Sequence, residues 1–152
     1  MRFIHASLLL LILAHPATAQ TTQQDMSAPV KVIWGPAGPE LPSGAEIALL
    51  QGDPTKAAPF TIRVKMPKGY ATAPHYHDTE LHATVISGDF SIGMGHLVDV
   101  AKLPILRPGD FITVSAKQPH FDAARTEVVV QVHGMGPLST TYVNPDDDPR
   151  RR

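Results

Sequence analysis

Proline and glycine punctuate this chain too often for it to be helical. With 15 prolines and 11 glycines spread through 152 residues, no long window keeps helical periodicity with caps. Only residues 99–102 carry a weak helical signal. What lies between the breakers is short and apolar or alternating: residues 30–34, 48–50, 60–66, 83–86, 90–94, 103–106, 111–114, 127–132 and 140–143. Turn chemistry separates them, in Gly35-Pro36-Ala37-Gly38-Pro39, Gly52-Asp53-Pro54, Ser87-Gly88-Asp89 and Arg107-Pro108-Gly109-Asp110. Many short strands at close spacing predict an all-β chain folded as an antiparallel sandwich or barrel.

The N-terminus reads as a leader rather than as part of that fold. Met1-Arg2 is a short positive start, residues 3–14 are an apolar stretch, and Ala17-Thr18-Ala19 is a small-residue cleavage signal. The stretch is too short for a span, which needs about 20 apolar residues. The expectation is export, periplasmic or secreted, with a mature chain from Gln20 that no longer touches a membrane. Residues 20–29 are polar and expected to be loosely attached, residues 30–145 form one β-domain, and residues 146–152 form a charged tail with no assigned role. A net charge of −1 without a basic patch argues against nucleic acid as a partner. There is no cysteine, which excludes disulfides, thiolate ligands and cysteine nucleophiles. Any metal must be held by nitrogen and oxygen.

The chemistry concentrates in one segment. His75 and His77 stand at i and i+2, so on a strand both imidazoles face one side, with Cα atoms about 7 Å apart. Such a pair converges on one ion at bond lengths of about 2.0–2.2 Å. A third donor, Glu80 or His82, follows within five residues, and His120 can arrive from a neighbouring strand. The competing reading is a set of exposed outer-face histidines. Farther on, Gln131 and His133 share one face of an apolar strand. They either face solvent or line the cavity as contacts for a bound molecule. His96 reads as solvated, Tyr76 as structural and pointing away from its histidine neighbours, and Asp89 and Asp110 as turn residues.

This spacing resembles the cupin superfamily. Gly69, His75, His77 and Gly88 fit its first motif, and Gly109 and His120 stand at the separation of its second. Ser115, Lys117 and Ala124 replace the Pro, Gly and Asn of that second motif. The resemblance covers about residues 66–124 and implies a small jelly-roll, or double-stranded β-helix, barrel. It departs at the carboxylate, where Leu81 occupies the slot of the family's Glu. If Leu81 keeps that register, Glu80 and His82 both point away and three histidines remain. If a bulge shifts the register, His82 or Glu80 turns inward. The ligand set taken forward is His75, His77, His82 and His120, with Glu80 as the nearest candidate for proton transfer.

A sulfur-free, imidazole-rich set suits a divalent transition metal: iron, zinc, copper or nickel, with manganese favoured by more oxygen donors. By resemblance, the reading is a small metalloenzyme acting on a small molecule, dioxygenase-like. The alternative is a non-catalytic cupin that binds a small molecule or a metal. Cupins commonly dimerise, so the resemblance makes a homodimer one candidate assembly.

Overall fold

The computed structural model describes residue 29, residues 31–96 and residues 98–152. The expected leader at residues 1–19, and all but the last residue of the 20–29 segment, lie outside the described residues. Among the described residues no helix is long and apolar enough to cross a membrane.

Ten strands follow in order: β1 (Gly35–Pro36), β2 (Glu46–Gln51), β3 (Pro59–Met66), β4 (His75–Tyr76), β5 (Leu81–Ser87), β6 (Phe90–Met94), β7 (Phe111–Val114), β8 (His120–Ala124), β9 (Val128–Met135) and β10 (Thr141–Tyr142). They form two antiparallel sheets. The larger runs β1-β2-β3-β9-β5-β7 and the smaller β10-β4-β8-β6. Beyond the consecutive β1-β2-β3, neighbours in space are distant in sequence, as a jelly-roll requires, and the two sheets face each other without closing into one continuous ladder.

Alternation decides which side of each strand is buried. Along β3, Phe60, Ile62 and Met66 are buried, and along β5, Leu81, Ala83 and Val85. On β9, Val128 and Val130 complete the set, and β3, β9 and β5 form the centre of the larger sheet. Burying each large apolar side chain contributes roughly 1.5–3 kcal/mol. The β5–β6 turn depends on Gly88, whose φ is 80° and whose Cβ, if present, would collide with the Glu127 carbonyl oxygen.

The expected strands at residues 60–66, 90–94 and 111–114 match β3, β6 and β7 closely. Two expectations are corrected. Residues 31–34 are not a strand: pairing begins at Gly35–Pro36, against Glu46 and Ile47, and Ile33 is left exposed. An edge strand tolerates Pro36, which has no N–H to donate. Residues 103–106 form no strand, and only Leu106 bridges, to Phe90. Arg150 donates to the Thr140 carbonyl at 3.0 Å and pairs with Asp148, folding the C-terminal tail back beside β10. The weak signal at residues 99–102 is one 3-10 turn, Val100–Lys102.

Candidate metal centre

Cross-strand pairing builds the site. β4 and β8 pair so that His75 stands directly opposite His120, and His77 follows one residue after β4 on the same face as His75. The ring centroids are 4.3 Å apart for His75–His120 and 5.1 Å for both His75–His77 and His77–His120. One ligand nitrogen from each lies within 4.8 Å of the others. Donors bonded to one ion at about 2.0–2.2 Å stand no more than about 4.4 Å apart, so small side-chain adjustments suffice.

The other ring nitrogens fix how these histidines are presented. His75 Nδ1–H donates to the Ala73 carbonyl at 2.9 Å, His77 to Ser139 at 2.7 Å and His120 to Gln118 at 3.0 Å. A carbonyl oxygen only accepts, so each Nδ1 carries the proton and each neutral ring keeps its lone pair on Nε2. All three residues are buried, at 2%, 9% and 3% exposure. Burial also favours the neutral ring at His75 and His77. It lowers the pKa of His75, and it lowers that of His77 to about 4, with the neighbouring His75 adding to the effect. Three imidazoles oriented with Nε2 toward one point are the donor set a transition metal needs.

A backbone bond braces this arrangement. Lys117 N–H donates to the His77 carbonyl at 2.7 Å, and Lys117 takes a φ of 63° to do so. That is the position where the cupin motif has glycine, so the left-handed backbone survives without the residue that favours it. The Lys117 ammonium pairs with Asp78 and lies 5.2 Å over the ring of Tyr76, which points away from the histidines.

The histidines open onto a cavity of about 120 Å³ between the two sheets. Ile62, Val64, Leu81, Val130 and Val132 wall one side, and Phe90 and Ile92 another. Among the described residues no lysine or arginine lines it. Its polar contributors are Thr72, Thr140, Tyr70, Glu40 and Asp122 beside the histidines. Burial pushes the Tyr70 phenol up, and the hydroxyl donates to the Pro42 carbonyl at 2.9 Å.

The structure does not bring every expected residue to this point. Leu81 lines the cavity, so β5 keeps the register of the cupin motif it resembles, and its neighbours Glu80 and His82 face outward. His82 is therefore corrected as a ligand. It stacks on His133 and Phe111, with centroids 5.2 and 5.8 Å away. Glu80 is corrected as a proton-transfer group: it is exposed, and its carboxylate meets His82 Nε2 at 3.4 Å. Gln131 and His133 lie on the outer face as well, which corrects them as cofactor contacts. Gln131 accepts from Arg63 Nε at 3.1 Å, and His133 pairs across the sheet with His82. Val130 and Val132 take the inward positions instead. His96 is exposed, as expected.

Sequence reasoning missed Asp122 and Thr72. The signal was present, because His120 and Asp122 repeat the i, i+2 spacing of His75 and His77 on a second strand.

No family model matches the sequence, and no curated protein does. Solved structures do resemble it. An RmlC-like cupin from Shewanella frigidimarina superposes with a TM-score of 0.57 at 15% identity, covering 74% of this chain and 90% of that one. KdgF from Halomonas sp. gives 0.53 at 19% identity, covering 68% and 86%. Salicylate 1,2-dioxygenase from Pseudoaminobacter salicylatoxidans, in complex with gentisate, gives 0.55 at 15% identity, covering 68% of this chain and 30% of that one. Two facing antiparallel sheets, a cavity between them and these likenesses make the chain a cupin in fold.

Proposed function

We propose that this chain is a small exported metalloenzyme whose His75, His77 and His120 hold a divalent transition metal, and that it catalyses oxygen-dependent cleavage of a small organic molecule. One observation carries the reading: three buried Nε2 lone pairs, each fixed by a carbonyl behind it, meet at the wall of an apolar cavity. The fold likeness to a dioxygenase solved with gentisate supports the reaction class. The apolar leader and its cleavage signal support a periplasmic or secreted location.

When bound, the ion supplies Lewis acidity and a place to activate water or dioxygen. The chain's own residues do the rest. The histidines hold their orientation through Ala73, Ser139 and Gln118, so only small side-chain adjustments accompany binding. The aliphatic walls exclude water and favour a compact, weakly charged substrate, because among the described residues no lysine or arginine waits for an anion.

Elemental analysis of the protein beside a His75→Ala/His120→Ala double variant tests the centre. The expected result is about one equivalent of metal in the wild type and none in the variant. Oxygen uptake by the iron(II)-loaded protein, with catechols and 1,3-diketones as candidates, tests the reaction. Uptake coupled to loss of one compound supports it. A metal-loaded protein that binds one of them without turnover overturns the enzyme reading in favour of a binding protein.

A further inference from the structure

The cavity contains a carboxylate that the three-histidine site does not use. Asp122 projects from β8 on the same face as His120, and its Oδ2 lies 3.9 Å from His75 Nε2. That is too long for a hydrogen bond and within the range that two donors to one ion occupy, while the carboxylate stands outside the 4.8 Å grouping of the three histidine donors and needs a side-chain adjustment to join it. Its side chain is only 19% exposed.

Asp122 is also fixed in place. Thr72, itself 4% exposed, donates its hydroxyl to Asp122 Oδ2 at 3.2 Å. The same hydroxyl accepts from the Asp122 N–H at 2.9 Å, and the Thr72 N–H donates to the Asp122 carbonyl at 3.1 Å. Among the described residues no lysine or arginine pairs with this carboxylate. A carboxylate facing an apolar cavity without a cation is costly to keep. A cation held by the adjacent histidines removes that cost.

On the opposite wall, Leu81 occupies the slot where the motif has its Glu, with an aliphatic side chain lining the cavity. We propose that Asp122 supplies the site's carboxylate donor from β8, in place of the one that Leu81 cannot supply from β5. The assignment rests on the metal-centre reading above. It makes the donor set three imidazoles and one carboxylate, which moves the metal preference toward iron and manganese.

Cobalt(II) alone is the probe, and the full-length protein is the sample. Affinity is read by chelator competition and donor geometry by the visible absorption of the bound cobalt. Asp122→Asn keeps the shape and Asp122→Ala removes the donor. Each is expected to keep its thermal unfolding within a few degrees, to bind cobalt at least about tenfold more weakly and to change the spectrum. The double variant Leu81→Glu/Asp122→Ala is expected to recover most of the affinity. Cobalt binding and absorption unchanged in both single variants overturn the assignment while leaving the three-histidine centre standing. A double variant no tighter than Asp122→Ala overturns the claim that the two positions serve one carboxylate. Wild-type protein that takes up no cobalt overturns both readings.

Discussion

At the scale of single residues, the site is a matter of which nitrogen carries a proton. Each of the three histidines uses a nearby carbonyl to settle that choice, and the Ala73 and Gln118 carbonyls lie two residues before their own histidines. The short loops ahead of β4 and β8 are thus part of the centre. His120→Ala is expected to abolish tight metal binding while moving the unfolding midpoint little, because Phe60, Val85 and Val128 supply the core from other strands. Equal metal content in the variant and the wild type would show that His120 is not a ligand. Lys117 tests the backbone side of the design. Its positive φ is unfavourable for any residue with a Cβ, while its pairing with Asp78 is exposed and contributes little. Lys117→Gly is expected to raise the melting temperature with metal affinity unchanged, and a lowered melting temperature would mean that the Asp78 pairing matters more than the strain.

At the scale of strands, what could be read in advance followed burial. β3 and β7 alternate because one face of each meets the interior, and β6 alternates apolar with small residues, so their limits were legible from residues alone. β8 was not legible as a strand, since His-Phe-Asp-Ala-Ala is buried at four of its five positions and shows no alternation. The register of β5 could be framed but not decided: a one-residue slip exchanges Leu81 for His82, and both outcomes suited the local sequence. Packing decides it. Leu81 pairs with Gly134 of β9, and a Cβ at Gly134 would stand 2.8 Å from the Glu80 carbonyl oxygen and 2.9 Å from Leu81 Cδ2. The glycine makes room for a leucine, and a slipped strand would leave that space unfilled. Gly134→Ala is therefore expected to cost about 1–3 kcal/mol, because the backbone carbonyl cannot move aside. Urea unfolding measures it, and a midpoint equal to the wild type would show that β5 and β9 can part at no cost.

At the scale of the whole molecule, folding and metal binding make the same demand, that the buried histidines stay uncharged. The cupin fold was legible from two histidine motifs and their glycines, whereas the position of the carboxylate was not, because Asp122 acquires meaning only when β8 is laid beside β4. That shared demand gives the metal-free protein a pH dependence of known sign. The ordinary histidine pKa is 6.5, and burial with the adjacent His75 brings His77 down to about 4. Between these values the unfolded chain binds a proton that the folded chain refuses, so stability is complete above pH 6.5 and falls as the pH drops toward 4. At 1.36 kcal/mol per unit, His77 alone accounts for a loss of about 3 kcal/mol across that window, and His75, lowered in the same direction, adds to it. Urea unfolding of the metal-free protein in steps from pH 7.5 to 4.5 reads this directly. His77→Ala should flatten part of the slope. A wild-type curve flat across this range would mean that the histidines protonate freely in the folded chain, and a cluster that accepts protons so easily would not be the neutral donor set inferred for the centre.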